Sequence, residues 1–249
     1  MTPVLEAAGV FKAFGAVTAA MDLNVAVPDR AIYSLIGTNG AGKTTFVNMV
    51  TGYITPDAGR ISFAGRDITR LDPQSITRLG IRRSFQIPQL YNGLTVLENM
   101  MVALTISADR KPSYWKPAKD RSHAERAREH LARLSLNDQR DRLIPELSSG
   151  MRKLLDIAMA MAGRPKVILL DEPTSGVAAD EKFPIMDLVM QALKDQEVTI
   201  LFVEHDMDIV IRYSERVLAF YDGRIIADGA PDEVLADRQV QRYVTGVVK

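Results

Sequence analysis

The chain has 249 residues, of which 47% are hydrophobic and 25% are charged, as is usual for a folded globular protein and unlike a disordered one. Lys and Arg together number 31, and Asp and Glu also number 31, so no net positive charge attracts nucleic acid and we expect no nucleic-acid partner. The chain has no cysteine, which excludes a disulfide framework, a thiol nucleophile and a zinc site built on cysteine.

The apolar segments of the chain are short. The first ten residues contain neither a basic leader nor a long apolar core, so we do not expect a signal peptide. Residues 167–170 and 198–203 are strongly apolar but far too short to span a bilayer, and they predict buried strands instead. Any link to a membrane is therefore expected to run through a protein partner.

Apolar segments broken by Gly, Pro, Asn and Asp characterise the first 65 residues. They predict four strands, at about residues 5–14, 21–27, 31–36 and 60–63. After Gly42, apolar residues at helical spacing predict a helix that begins at Lys43 and ends near Gly52. A strand, a Gly-rich loop and a helix therefore follow one another directly.

Residues 88–161 have helix-forming sequence and are interpreted as a helical insertion. Within this insertion we predict three helices, at about residues 95–104, 122–134 and 149–162. Residues 107–121 are rich in Lys, Pro and Asp and predict an irregular loop, in which Tyr114 and Trp115 receive no role.

Beyond Pro165, apolar strands alternate with an amphipathic helix. The strands are predicted at residues 167–170, 198–203 and 217–220, and the helix at 183–193. Strands that alternate with helices indicate a parallel sheet covered on both faces. This pattern predicts the α/β class.

The strongest chemical signal is the segment GTNGAGKT from Gly37 to Thr44, which fits GxxxxGK[ST] and lies between a predicted strand and a predicted helix. The glycines let the loop curl, so that backbone N–H groups and the positive end of the helix dipole face phosphate oxygens. We expect Lys43 to reach the β- and γ-phosphates and the Thr44 hydroxyl to ligate Mg²⁺. A plain glycine turn would not require Lys followed by Thr.

The apolar strand at residues 167–170 ends in two carboxylates, Asp171 and Glu172. Charge at the carboxyl end of a buried strand is typical of a site at the edge of a parallel sheet. We expect Asp171 to hold Mg²⁺ and Glu172 to act as the base that polarises the attacking water. An acidic pair alone could equally be a solvated strand end, and the P-loop upstream favours the functional interpretation.

These motifs and three further segments resemble the ABC family of ATPases over the whole chain. GTNGAGKTT matches the family's Walker A, VILLDE its Walker B, Gln86 the Q-loop glutamine, LSSGM (147–151) the signature and His205 the switch histidine. The resemblance implies a P-loop NTPase (RecA-like) core with an antiparallel β subdomain and an inserted α-helical subdomain. It implies one ABC ATPase domain over 1–249, with the core and β subdomain in 1–87 and 162–249 and the signature-bearing helical subdomain in 88–161.

The resemblance also implies a role for each matching residue. The catalytic residues it implies are Lys43, Glu172 and His205, and the Mg²⁺ ligands are Thr44, Gln86 and Asp171. The nucleotide-binding residues it implies are Phe14, Asn39, Gly40, Ala41, Gly42, Lys43, Thr44 and Thr45. The signature residues expected to act on a partner's site are Ser148, Ser149, Gly150 and Met151. Phe14 stands where the family stacks an aromatic ring on adenine, and packing in the core stays open as its alternative role.

A finer resemblance is to the ATPases of branched-chain amino acid importers, the LivG-like group, and it is carried by GIRRSFQIPQLYNGLTVLENMMVA, VEHDMDIV and DGRIIADGAPDEVL. It implies ATP and Mg²⁺ as cofactors and integral-membrane permease subunits as partners. A periplasmic or extracellular solute-binding protein is an indirect partner, and the implied location is peripheral, on the cytoplasmic face of the cell membrane.

Three alternatives stay open beside amino-acid import. The ATPases of urea importers are similar, so urea or another small solute is one alternative. A non-transport ABC ATPase with regulatory nucleotide binding is another, favoured by an altered signature and disfavoured by the presence of Glu172 and His205. A soluble ABC protein acting on DNA or the ribosome is disfavoured, because the chain has no second ATPase unit, zinc-binding cysteines or basic patch.

The chain departs from the family pattern at a few positions. Thr38 replaces the usual Pro of the P-loop, Ser149 replaces a Gly and Met151 a Gln in the signature, and Ala178 replaces an Asp or Asn in the D-loop (residues 175–179). In the family, positions 151 and 178 contact the nucleotide site of the partner subunit. The replacements at these two positions are therefore expected to weaken the partner's nucleotide site rather than this chain's own. We expect a heterodimer with a second ABC ATPase subunit in preference to a homodimer.

Overall fold

The structure is a computed structural model that describes residues 3–107 and 121–246. The predicted loop with Tyr114 and Trp115 lies almost entirely outside the described residues. The elements follow in the order β1 (Leu5–Phe14), β2 (Val17–Val27), β3 (Ile32–Gly37), α1 (Lys43–Val50), β4 (Ala58–Phe63), β5 (Arg66–Asp67), α2 (Pro73–Leu79), β6 (Ile81–Ser84), α3 (Val96–Ser107), α4 (Arg121–Arg133), α5 (Ser149–Met161), β7 (Val167–Asp171), α6 (Lys182–Lys194), β8 (Thr199–Val203), α7 (Met207–Tyr213), β9 (Arg216–Tyr221), β10 (Arg224–Gly229), α8 (Pro231–Ala236) and α9 (Arg238–Val240).

The chain divides into two compact units. The first unit comprises Met1–Ile81 and Val198–Lys249, and the second comprises Arg82–Glu197. The subdomain boundaries predicted from the sequence, at 87/88 and 161/162, stay a prediction. None of the helices within residues 3–107 and 121–246 combines the length and the apolar character needed to cross a bilayer.

The first unit contains an antiparallel sheet with the strand order β2-β1-β4-β5. Along the first half of β1 buried and exposed residues alternate, as expected for a strand with one face on a core. Phe14 pairs with Val17 across a tight turn. Gly15 occupies that turn with a φ of 59°, which a residue without a Cβ adopts at no steric cost.

Four strands of the first unit form the order β10-β9-β3-β8. β3 runs parallel to both β8 and β9, and every residue of β3 and β8 is buried, as is usual for parallel strands covered on both faces. Helix α1 packs beside β9, where the rings of Phe46 and Phe220 lie 5.8 Å apart between centroids. This core supports the loop between β3 and α1.

The second unit places β6 beside β7 and carries the helices α3, α4, α5 and α6. β7 is buried along its whole length and ends at Asp171. Helix α5 turns its apolar residues toward the interior of the unit, and two charged residues, Lys153 and Asp156, lie on the same buried face.

Several elements differ from the sequence prediction. β2 begins at Val17 rather than Met21, because its first residues pair with the end of β1. The short elements β5, β6, α2, α7, α8 and α9 were not predicted. β10 was also missed, although its hairpin with β9 turns at Asp222 and Gly223, whose φ values of 48° and 72° are those of an Asp-Gly hairpin turn.

Candidate functional site

The P-loop of the first unit connects a fully buried strand to a helix N-terminus. β3 ends at Gly37, and α1 begins at Lys43 with Gly42 as its N-cap. Gly42 has a φ of 107°, and a Cβ there would lie 2.5 Å from the Ala19 carbonyl oxygen. Gly37 likewise leaves no room for a Cβ beside the Phe220 carbonyl oxygen. The backbone of the loop is therefore held in a curl that only glycine permits at these two positions.

The side chain of Lys43 folds back over the loop. Its Nζ donates to the carbonyl oxygens of Gly37, at 2.6 Å, and Thr38, at 3.0 Å, and the residue is only 5% exposed. An ammonium group placed at a helix N-terminus, beside backbone N–H groups, is the arrangement that binds phosphate. Phosphate oxygens can take the place of the two carbonyl acceptors.

The other predicted nucleotide-binding residues surround this loop in different degrees of exposure. Asn39, Gly40 and Thr44 are exposed, Thr45 is half-buried, and Ala41 and Gly42 are buried. Phe14, at the end of β1, is 48% exposed, which rules out core packing as its role. The Nζ of Lys12 lies 5.3 Å from the centroid of the Phe14 ring.

Strand β8 brings His205 to the same edge of the sheet as the P-loop. β3 and β8 run parallel, with Leu35 opposite Val203, and the Glu204 N–H donates to the Leu35 carbonyl oxygen at 3.4 Å. The carboxyl ends of parallel strands meet at one edge, where α/β proteins bind ligands. His205 is exposed there, and its backbone N–H donates to the Glu204 carboxylate at 3.1 Å.

In the second unit, the two carboxylates after β7 each have a basic or amide partner. Arg83 Nη2 lies 2.5 Å from Asp171 Oδ2, and both side chains are less than a tenth exposed. Gln86 Nε2 donates to Glu172 Oε2 at 2.7 Å. Glu172 has a φ of 47°, in the left-handed region that a residue with a Cβ rarely adopts, and such strain is typical of functional sites.

Three residues of this unit were missed by the sequence reasoning: Arg83, Lys153 and Asp156. Both helix residues contact the backbone of residues 85–89, which we call the Gln86 segment. Lys153 Nζ donates to carbonyl oxygens of this segment, and the Asp156 carboxylate accepts from its backbone N–H groups. Burial raises the pKa of the Asp156 carboxyl to about 6, although the two backbone N–H groups and nearby Lys153 act in the opposite direction. In the sequence, Lys153 and Asp156 are marked only by their charge among the apolar residues of a predicted helix, and Arg83 is one of two adjacent arginines.

The signature residues form the start of α5. The Ser148 hydroxyl accepts from the Met151 N–H at 3.3 Å and so caps the helix. The Ser149 hydroxyl donates to the Gly176 carbonyl oxygen at 2.6 Å, which links the signature to the D-loop. Gly150 packs closely against α6, where a Cβ would lie 2.8 Å from Ile185 Cδ1.

The residues predicted to hold Mg²⁺ fit that ion by their chemistry. In the described part of the chain no three His, Cys, Asp or Glu residues cluster as a metal cage. Mg²⁺, however, is commonly bound through one or two carboxylates, a hydroxyl and substrate phosphates, with water completing the shell. Thr44, Gln86 and Asp171 supply oxygen atoms of these kinds, and Arg83 occupies one of the roughly four lone-pair sites of the Asp171 carboxylate.

The chain is similar to known proteins over nearly its whole length. The model of the family described as ABC transporter matches residues 20–175. A probable branched-chain amino acid transport ATP-binding protein LivG of Methanocaldococcus jannaschii is 35% identical over 98% of this chain and 97% of its own length. The high-affinity branched-chain amino acid transport ATP-binding protein BraF of Pseudomonas aeruginosa is 32% identical over 98% of each chain.

A solved structure has the same fold. It is the ADP conformation of an ATP-binding cassette of an ABC transporter, with a TM-score of 0.86 and 34% identity over 97% of this chain and 98% of its own. The α/β P-loop NTPase fold predicted from the sequence is therefore confirmed. The chain belongs to the ABC transporter family, as one of its ATP-binding subunits. It is an ATPase, as the motifs predicted, and ATP is its nucleotide.

Proposed function

We propose that this chain is the ATP-hydrolysing subunit of an importer for branched-chain or other small amino acids. The observation that carries the proposal is the P-loop, where two crowded glycines and a folded-back Lys43 form a phosphate cradle. The solute class is supported by the relatives, which match nearly the whole chain and are named for branched-chain amino acid transport.

ATP binding begins in the first unit. Lys43 exchanges its two loop carbonyl contacts for oxygens of the β- and γ-phosphates, which carry a full opposite charge. Backbone N–H groups from Asn39 to Thr45 surround the same oxygens. The half-exposed ring of Phe14 stacks on adenine, an arrangement its exposure permits. Thr44, Gln86 and Asp171 would hold Mg²⁺, which would neutralise charge on the phosphates.

Hydrolysis uses Glu172, His205 and Gln86. The Glu172 carboxylate accepts the proton of the attacking water as general base. The Gln86 amide, which donates to Glu172 at 2.7 Å, restricts the orientation of that carboxylate. His205, exposed at the sheet edge beyond β8, holds the γ-phosphate and the water.

The active assembly is a dimer of two different ATPase subunits on a permease. The Ser148 hydroxyl uses its oxygen to cap α5 and keeps its proton to donate to a γ-phosphate of the partner subunit's site, and Ser149, Gly150 and Met151 belong to the same surface. Integral-membrane permease subunits bind the pair at the cytoplasmic face of the cell membrane. A periplasmic or extracellular solute-binding protein delivers the solute to that permease.

Transport by the intact complex tests the proposal. The tagged chain is purified from membranes with the permease and second ATPase that accompany it. The complex is reconstituted in vesicles containing ATP, and the solute-binding protein is added outside. We expect uptake of labelled leucine, isoleucine or valine that requires ATP and is lost in Lys43→Ala. Uptake of urea alone would overturn the solute class, and absence of any accompanying permease would overturn the role in transport.

A further inference from the structure

The helix that begins at the signature carries two buried charges. Lys153 is 2% exposed and Asp156 is 6% exposed, and their spacing of three residues places them on one face of α5. Burying an ionised side chain is costly unless hydrogen bonds and an opposite charge compensate it. The hydrogen bonds of these two side chains therefore show which groups compensate their burial.

Lys153 joins two segments through one atom. Its Nζ donates to the carbonyl oxygens of Phe85 at 3.0 Å, Gln86 at 2.6 Å and Asp171 at 3.2 Å. An ammonium group has three protons, so each of these three carbonyl oxygens can accept one of them. The backbone that carries Gln86 and the backbone that carries Asp171 and Glu172 are thus held at a set separation by the same side chain.

Asp156 holds the Gln86 segment from its other side. Its Oδ2 accepts from the Phe85 N–H at 2.9 Å, and its Oδ1 accepts from the Gln89 N–H at 3.2 Å. Phe85 is therefore bound at both its N–H and its C=O, by two side chains one turn apart on the same helix. Backbone contacts of this kind do not depend on the identity of the residues in the segment.

We propose that Lys153 and Asp156 are positioning residues that bind the signature helix, the Gln86 segment and the end of β7 into one rigid group. We call these two side chains, Lys153 and Asp156, the clamp. The helix that carries the clamp is capped by Ser148, so a shift of the signature moves the carbonyl of Gln86 and the strand end that orients Glu172. Contact of the signature with a partner subunit is then linked to the alignment of the base in the same chain. This inference rests on the proposed function, in which Glu172 is that base.

Variants of Lys153 separate the alignment of Glu172 from the binding of ATP. Lys153→Met removes the ammonium group, and Lys153→Arg retains the charge and the N–H donors. The phosphate contacts proposed for Lys43 do not involve Lys153, so in the complex with the second ATPase we expect Lys153→Met to retain most of the ATP affinity while kcat falls roughly tenfold to 100-fold, as for a misplaced catalytic group. Lys153→Arg is expected to recover most of the lost kcat. Lys194→Met, at an exposed lysine in the last turn of α6, is the matched control and leaves both parameters unchanged.

A second variant removes both charges. Lys153→Met with Asp156→Leu replaces both buried charges by apolar side chains, so that neither charge is left buried without the other. We expect it to fold, to bind ATP as the wild type does, and to show the low kcat, with faster hydrogen exchange at the Phe85 and Gln89 amides. Lys153→Gln, which retains two amide protons, is the milder variant and is expected to lose kcat less.

The outcomes distinguish this inference from the proposed function. Wild-type kcat in a folded variant that lacks the Lys153 charge would overturn the clamp, even with Glu172→Gln inactive. A fall in ATP affinity equal to the fall in kcat would also overturn it, because the role would then be general stability. Full turnover in Glu172→Gln would instead overturn the proposed function itself.

Discussion

Arg83 and Asp171 form a buried ion pair in which Nη2 lies 2.5 Å from Oδ2. The two residues are 88 positions apart in the chain and meet because β6 lies beside β7. The carboxylate proposed to hold Mg²⁺ is therefore charge-compensated by an arginine of the neighbouring strand. Removing one partner of a buried ion pair leaves an uncompensated charge, which costs more stability than replacing both partners.

We expect Arg83→Met to lower the free energy of unfolding by about 3 to 5 kcal/mol, and Arg83→Met with Asp171→Asn to lower it by less. Urea denaturation followed by circular dichroism measures both. Arg142→Met is the matched control, because its ion pair with Glu146 is about half exposed and is worth about 0 to 1 kcal/mol. Equal losses for Arg83→Met and Arg142→Met would show that the buried pair has no special weight.

Lys43→Ala is expected to abolish ATP binding. The phosphate cradle loses its ammonium group, and two charge-assisted hydrogen bonds at about 1.5 to 3 kcal/mol each correspond to roughly a 100-fold loss or more. Isothermal titration calorimetry with ATP measures the affinity, and Lys194→Ala, far from the P-loop in sequence and exposed on α6, is the control. An affinity equal to that of the wild type would contradict the P-loop assignment.

Glu172→Gln is expected to bind ATP normally and to turn over at less than about a tenth of the wild-type rate, since loss of a general base costs about 10²- to 10⁴-fold. The glutamine side-chain oxygen can still accept from Gln86, so the local geometry survives. Phosphate release and ATP titration measure the two properties separately. Glu146→Gln, in an exposed ion pair, is the control, and turnover above a tenth in Glu172→Gln would count against a base at this position.

The stability of the protein is expected to depend on pH through Asp156. Its pKa is raised by burial to about 6 in the folded protein, against 3.8 for the ordinary carboxyl, so the folded state binds this proton more tightly than the unfolded state. Stability from this group is therefore greatest below the unfolded pKa of 3.8 and is lost as the pH rises through about 6, by roughly 3 kcal/mol in total. Asp156→Asn lacks this decline.

Urea denaturation of wild type and Asp156→Asn at a series of pH values isolates that contribution, because the other titrating groups cancel in the difference. The difference in unfolding free energy should change in favour of the variant by about 2 kcal/mol between pH 4 and pH 7. A constant difference over this range would show that Asp156 titrates near its ordinary pKa.

The isolated chain is expected to show weak ATPase activity and little ATP-driven dimerisation. The family resemblance implies that Met151 and Ala178 face the partner's nucleotide site. The signature and the D-loop that carry them are joined within the chain by the hydrogen bond from Ser149 to Gly176. Met151→Gln with Ala178→Asp should strengthen self-association in ATP, as measured by light scattering. A stable ATP dimer of the wild-type chain with full cooperative turnover, unchanged by these reversions, would disprove the asymmetry.

Contiguous motifs made most of the site predictable from the sequence. The P-loop requires glycine at positions such as Gly42, where φ is 107° and a Cβ has no room, and it requires Lys43 at the helix start. These requirements involve residues close together in the chain, so they produce a recognisable sequence motif. Asp171 and Glu172 were predicted as site residues for the same reason, because a buried apolar strand runs directly into them.

Partners from distant segments were decided only by the tertiary structure. Asp156 meets Phe85 across 71 positions and Arg83 meets Asp171 across 88, and neither pair has a spacing that a local pattern can reveal. On the sequence alone, Lys153 and Asp156 are charged residues in a helix, for which a solvated face is the ordinary expectation. Packing of α5 beneath the Gln86 segment made them buried, and burial left the carbonyl and N–H groups of that segment as their hydrogen-bond partners.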